Sequence, residues 1–436
     1  MTDRPVPAPA RPEALIARRR ALLGPAYRLF YDRPVHIVRG EDVWLYGADG
    51  RRYLDAYNNV ASVGHCHPRV VAAATRQMAT LNTHTRYLDE AVLDYSERLL
   101  ATYPEAFGHV MYTCTGSEAV DLALRIARYE TGGTGVVITR NAYHGTTQAT
   151  AGISPSLGAN VPLGRDVWAV PAPDAYRNPG VDVGARLAED VRAAFADMRR
   201  HGVRPAAFIA DGIFSTDGTL AEPAGFLAPA REAVREAGAL YVADEVQPGF
   251  GRLGEGFWGF SRHGIVPDMA VMGKPMGNGL PIAGLALRPE VAERFGRDIR
   301  YFNTFGANHV SIAAAGAVLD VIADQNLVAN AAATGRLMRD GLRALMARVP
   351  AIGDVRGVGL FLGVELVTCR DSRAPDPALA RRVVNALRDD GVLISASGPH
   401  DNVLKIRPPL TFSAGHAALF LEALERALAD AHQEPA

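Results

Sequence analysis

From Gly64 to about residue 330, short apolar runs alternate with longer stretches whose apolar residues recur at helical spacing. That alternation confines the chain to an α/β fold. A strand, a helix and a second strand return to one sheet by a crossover, which lays the strands parallel and covers the sheet with helices. The apolar runs predict six strands, at 109–113, 135–139, 206–210, 239–244, 269–272 and 282–287, and the spacing predicts helices over 118–130, 186–199 and 227–237. Ahead of them, strand-like runs over 35–54, broken by a turn from Gly47 to Gly50, predict a small antiparallel element. Behind them come a helical region over 309–349, a glycine-rich hairpin over 352–366, a helix over 377–389, a strand pair around Val392 and Val403, and a final helix from Gly415. These make a second, smaller α+β unit. The Pro/Ala-rich start, residues 1–12, reads as a flexible arm, and Arg18, Arg19 and Arg20 beyond it as one solvated helix face.

Composition narrows the partners. With 48% hydrophobic and 21% charged residues and a formal net charge of -1, the chain has the make-up of an ordinary globular enzyme and no general electrostatic pull on nucleic acid or an anionic membrane. Small molecules or another copy of the chain are the expected partners. Cys66, Cys114 and Cys369 are too scattered for a disulfide framework and suit a reducing compartment. With no apolar signal core near Met1 and no run of membrane-spanning length, cytoplasm is the expected location.

One compositional bias bears on chemistry. Of the 46 basic residues only two, Lys274 and Lys405, are lysines. A guanidinium stays protonated, whereas a desolvated ammonium can lose its proton and condense with a carbonyl. Lys274 ends an apolar run of buried-strand type and precedes a Gly-rich turn, which makes it a Schiff-base candidate. Lys405 reads as an edge-strand charge, and chance survival of both under an arginine bias is the competing reading. Gly116 and Ser117 follow a strand and open a helix, so their amides would face an anion at the positive end of the helix dipole, although an ordinary N-cap has the same appearance. Asp244 stands at the C-terminal edge of its strand, where wound sheets place ligands, and would stay ionised facing a protonated heterocyclic nitrogen. Tyr143, beyond the 135–139 strand, is either a flat face for a ring or a surface aromatic. An anion cradle, a carboxylate for a ring nitrogen, an aromatic lid and an aldehyde-capturing lysine converge on pyridoxal 5'-phosphate. The G-x-G-x-x-G spelling at 254–259 lacks the flanking strand and long helix of a dinucleotide site. His65, Cys66 and His67 lack a second ligand cluster, so no metal is expected.

With these motifs in this order, over roughly residues 30–430, the sequence resembles the class III aminotransferases among the fold-type I pyridoxal-phosphate enzymes. The resemblance implies a large domain over 64–330 with a mostly parallel wound sheet, and a smaller α+β domain built from both termini, residues 13–63 joining 331–436. It implies Lys274 as the Schiff-base lysine and proton shuttle, Asp244 as partner of the pyridine nitrogen, Tyr143 as the stacking residue, and Gly116 with Ser117 as the phosphate loop. Val246 would pack on the ring and Gln247 would reach its phenolic oxygen. Thr304 resembles the threonine that crosses a dimer interface to the neighbouring subunit's phosphate, which implies a homodimer. Arg407 matches the family's carboxylate-binding arginine, and Tyr57 and Asn58 would line the substrate pocket. The implied reaction moves an amino group from an amino acid or amine donor to a 2-oxo acid by a ping-pong route. One departure stands out. Many members carry, after the third strand, a glutamate that pairs with the arginine; here Asp211 is one methylene shorter, so that pairing is lost or rebuilt. The same segment, with 273–279 and 301–305, resembles the branch that includes phospho-lyases acting on phosphorylated amino compounds. Elimination of phosphate and ammonia is therefore the alternative reaction, and racemisation a third.

Overall fold

The computed structural model describes residues 11–433. Its centre is a seven-stranded sheet in the order His109–Thr113, Ala283–Leu287, Met269–Met272, Leu240–Asp244, Pro205–Ala210, Gly135–Thr139, Val167–Val170. Only Ala283–Leu287 runs against its neighbours, and the other pairs are parallel. Strands such as Gly135–Thr139 and Pro205–Ala210 are buried along their whole length, as expected for a sheet covered on both faces, which is why they read as unbroken apolar runs. Helices Gly116–Thr131, Val183–Arg200 and Ala228–Glu236 provide the cover.

The strand Val167–Val170 was not predicted. It is four residues long, half-buried at the sheet edge, and held by the Trp168 indole donating to Asp197 at 2.7 Å, a tertiary contact that local pattern does not show. The helical region over 309–349 divides into His309–Asp324 and Leu327–Arg348, bent by 62° at Asn326, whose φ of 52° suits the left-handed tolerance of asparagine. No single helix among the described residues is long and apolar enough to cross a membrane. Of the arm expected over 1–12, residues 1–10 lie outside the described residues, and Pro12 opens the helix Pro12–Leu23, which has no buried residue.

The C-terminal unit departs from expectation in one informative way. Val392–Leu393 does not pair with Val403; it runs parallel to Arg52–Asp55 and so stitches the C-terminal segment to the N-terminal sheet. Ser395–Ser397 is the partner of Val403–Ile406, whose other side pairs with Phe361–Cys369. Lys405 therefore lies on an inner strand and is buried at 6% exposure, not at an edge.

Candidate active site

The C-terminal ends of the parallel strands converge on one cavity of about 230 Å³. At the end of His109–Thr113, the Thr115 hydroxyl accepts from the Glu118 amide at 3.2 Å, and the Glu118 carboxylate accepts from the Thr115 and Cys114 amides at 3.2 and 2.7 Å. The cap is thus Thr115, not Ser117. The amides of Gly116 and Ser117 are left without a partner among the described residues, in the first turn of a helix, where an anion is favoured. The Ser117 hydroxyl accepts from the Thr146 amide at 3.1 Å and keeps its proton to donate. Gly145 makes this contact possible: its φ is 136°, and a Cβ there would lie 2.6 Å from that hydroxyl.

Across the cavity, Asp244 ends the strand Leu240–Asp244. One carboxylate oxygen accepts from the Val246 amide at 3.2 Å, and the other stands 2.7 Å from Nδ1 of His144. His144 is buried, and its Nε2 has no partner among the described residues. No local sequence pattern marks His144; its place behind Asp244, 100 residues further along the chain, is a tertiary fact. Tyr143 is one-third exposed at the cavity wall, and burial, then the charge of Asp244, raises its phenol's pKa. Lys274 follows Met269–Met272 and is pushed down to about 8, by burial first and then by Arg407, against the opposing pull of Asp244 and Asp211. Gly116, Ser117, Tyr143, Asp244, Val246, Gln247 and Lys274 all line this cavity. Free helix-start amides for a phosphate, a carboxylate for a ring nitrogen and an amine easily deprotonated near neutrality are a donor set that fits pyridoxal phosphate.

Beside the cavity, Arg407 is 7% exposed and follows the strand Val403–Ile406. Its Nη1 donates to Asn59 Oδ1 at 3.0 Å and to Gln247 Oε1, its guanidinium lies 4.4 Å from the centre of the Tyr57 ring, and its Nε has no partner among the described residues. Gln247, expected at the cofactor's phenolic oxygen, lines the cavity and links Arg407 to the Ser215 hydroxyl, to which it donates at 2.7 Å. Asn58 turns its carboxamide onto the Val60 amide at 3.0 Å, and the adjacent Asn59 is the residue that reaches Arg407. Asp211 accepts from the amides of Ile213 and Ser215 at 2.8 and 2.9 Å and makes no ion pair with Arg407; burial raises its pKa. A second buried cation, Arg252, donates to the carbonyls of Leu360 and Pro408 and is pushed down to about 9 by burial and then by Arg407. Thr304 is exposed and stands apart from this cavity.

The motifs set aside have structural occupations. Gly259 and Phe260 donate their amides to the buried Glu245 at 2.7 and 2.8 Å. His65 Nε2 lies 2.6 Å from Asp55, and His67 Nδ1 accepts from the Arg69 amide at the start of helix Pro68–Thr80.

A wound sheet with one reversed strand and a lysine, an aspartate and a helix start at one strand-end cavity defines a pyridoxal-phosphate enzyme of fold type I. The family model for Aminotransferase class-III matches residues 30–428, and the chain belongs to that family. It is 40% identical to "Alanine--glyoxylate aminotransferase 2-like" of Drosophila melanogaster, over 96% of this chain and 87% of that protein. It is 36% identical to "Ethanolamine-phosphate phospho-lyase homolog 1" of Caenorhabditis elegans, over 95% and 93%. Among solved structures, a phospholyase from Arthrobacter in complex with phosphoethanolamine superposes with a TM-score of 0.93 at 44% identity, covering 97% of this chain and all (100%) of that one.

Proposed function

We propose that this enzyme is a phospho-lyase that takes a phosphorylated primary amine, expels phosphate from the carbon next to the amine-bearing one, and releases the rest as ammonia and a carbonyl compound with uptake of water. The observation that carries this reading is Arg407, a buried guanidinium held by the neutral side chains of Asn59 and Gln247 while Asp211 is committed to its own loop. A transaminase passes two different substrates through one site and is served by a carboxylate that discharges the arginine when the second anion is missing. An eliminating enzyme has one substrate, always anionic, and is served by a permanently available cation. The names of the Caenorhabditis relative and of the Arthrobacter complex support a phosphorylated amine. Transamination from an amino donor to a 2-oxo acid is the second reading, favoured by the Drosophila relative's name and by the fit of a guanidinium to a carboxylate.

In this reading Gly116 and Ser117 would hold the cofactor phosphate, Tyr143 and Val246 would pack on its ring, and Asp244, aligned by His144, would keep the ring nitrogen charged. Pyridoxal phosphate, when bound, supplies the electron sink for the pair left at Cα. Lys274 has a lowered pKa that would suit its Nζ to take the Cα proton. We also infer a homodimer. The loop bearing Thr304 exposes Phe302 and Phe305, and the nearby Tyr87 and Leu88 are exposed as well; His84 stacks on Tyr87 at 5.0 Å and meets Phe302 edge-on at 6.5 Å. A second copy covering this apolar patch would carry Thr304 towards its own cavity.

The test is the holoenzyme with a panel of phosphorylated amines, amino acids and simple amines, each with and without a 2-oxo acid. Phosphate and ammonia released without any 2-oxo acid are expected. Amino transfer that requires a 2-oxo acid, with no phosphate released, would replace this reading by the second. Light scattering should give twice the chain mass, and a fully active monomer would remove the dimer.

A further inference from the structure

Arginine occupies almost every basic position of this chain, yet the inner strand of the small sheet carries a lysine at its centre. The pleat sends Leu404 and Ile406 to one face and Val403 and Lys405 to the other, with Arg407 one step further on the Lys405 face. That face looks onto the loop that follows Pro205–Ala210. A Cβ on Gly218 would lie 3.7 Å from Val403, and a Cβ on Gly363, the residue opposite Lys405 in the ladder, would lie 3.1 Å from Thr219. Lys405 is 6% exposed, its Nζ lies 5.6 Å from the centre of the Phe361 ring, and no hydrogen bond or ion pair among the described residues engages it.

The charges around it sharpen the point. Burial, then Arg407, lowers the pKa of Lys405 well below the usual lysine value, Asp211 raises it, and Lys274 lowers it further. Of these neighbours only Asp211 is an acid, and its carboxylate is held by the amides of Ile213 and Ser215. Arg252 adds a further buried cation beside Arg407. Lys405 and Arg407, successive buried basic side chains on one face of the strand with no carboxylate bound to either among the described residues, make an arrangement that an entering anion would relieve.

We propose that Lys405 is a catalytic residue that receives the phosphate of the substrate beside Arg407 and gives a proton to the departing phosphate oxygen. This rests on the phospho-lyase reading above. The Cα–H bond breaks and its proton goes to Lys274 Nζ; the electron pair forms the bond between Cα and the neighbouring carbon; the bond from that carbon to the phosphate oxygen breaks, its pair leaves with phosphate, and a proton passes from Lys405 Nζ to the leaving oxygen. Lys405 recovers a proton from solvent. The role also accounts for the residue type: an arginine could hold the anion but not part with a proton, whereas a buried ammonium can do both.

The experiment compares wild-type, Lys405→Arg and Lys405→Met holoenzymes, using phosphate release from a phosphorylated amine and inorganic phosphate as the anion probe, with the visible absorbance of the bound cofactor as a check on loading. Wild type should release phosphate and be inhibited competitively by inorganic phosphate. Lys405→Arg should keep that inhibition within about threefold while its kcat for phosphate release falls about a hundredfold. Lys405→Met should lose both. If Lys405→Met fails to load cofactor, Lys405→Arg alone decides, because a retained kcat there removes the proton-donating role. Wild-type release and inhibition in Lys405→Met would overturn the proposal. Inorganic phosphate that perturbs the cofactor absorbance of wild type but not of Lys405→Met, in an enzyme that releases no phosphate from any amine, would uphold the anion site and overturn both the phospho-lyase reading and the proton step.

Discussion

Arg407 donates to the carboxamide oxygens of Gln247 and Asn59, and no carboxylate among the described residues is ion-paired with it. The neutral partners leave the guanidinium charge undiminished inside the protein, so an anionic substrate group meets a full counter-charge. Replacing Gln247 by glutamate would place a carboxylate on Arg407 without changing the side chain's length. In Gln247→Glu the KM for an anionic substrate should rise about tenfold, equivalent to about 1.4 kcal/mol, with a smaller change in kcat. Steady-state kinetics separate the two parameters, and an unchanged KM would remove Arg407 as the anion receptor.

Asp244 is fixed from behind by His144 at 2.7 Å and by the Val246 amide, so its carboxylate is aimed before any ligand arrives. Asp244→Asn should keep the shape of the cavity and much of the cofactor, because the helix-start amides and Lys274 remain. Turnover should fall on the order of a hundredfold or more, since the ring nitrogen loses the charge that keeps it protonated. Cofactor content after dialysis and kcat, measured on one preparation, check this. Parallel loss of both would mean that Asp244 is needed for retention rather than for turnover.

The legibility of this molecule in its sequence follows the distance over which each feature is determined. The buried strands read as apolar runs because both their faces are covered, and the residues that line the cavity were legible because they sit where those runs end. Strand order inside the small sheet is a different matter. A four-residue strand such as Val403–Ile406 has the same local pattern at an edge or in the middle, which is why Lys405 read as an edge charge and Val392 as its partner strand's mate. The loop Tyr57, Asn58, Asn59 has no periodicity to tell which carboxamide faces inward, and Asn59, not Asn58, meets Arg407. His144 behind Asp244 and Gln247 on Arg407 join positions 100 and 160 residues apart, and no local pattern encodes such pairs.

The lowered pKa of Lys274 predicts how the protein takes up its cofactor. Only the neutral amine attacks an aldehyde, and burial with Arg407 shifts its deprotonation from the usual 10.5 to about 8. The rate at which cofactor-free protein develops the visible absorbance of bound pyridoxal phosphate should rise with pH through a midpoint near 8, rather than near the 10.5 of an ordinary lysine. Arg407→Met removes the second cause of the shift, so its midpoint should move to higher pH. An unmoved midpoint would leave burial as the whole cause.

Asp217 couples the stability of the fold to pH. It is buried and accepts from the Thr139 hydroxyl at 2.8 Å and the Asn141 amide at 3.1 Å, yet burial outweighs these bonds and pushes its pKa from 3.8 up to about 7. A carboxyl whose folded value lies above its unfolded value binds more protons folded than unfolded in the interval between them. Its contribution to stability is therefore fully present below about pH 4, declines as pH rises, and levels off above about 7, with an upper bound of about 4 kcal/mol at about 1.4 kcal/mol per pH unit. Asparagine at this position can keep both bonds, its oxygen accepting from the Asn141 amide and its amino group donating to the Thr139 hydroxyl. Asp217→Asn should accordingly be more stable than wild type at pH 8, with the gap narrowing steadily as pH is lowered from 7 to 5. Urea unfolding of both proteins in the same cofactor state across that range measures the gap, and a gap that does not change with pH would mean that Asp217 is ionised throughout.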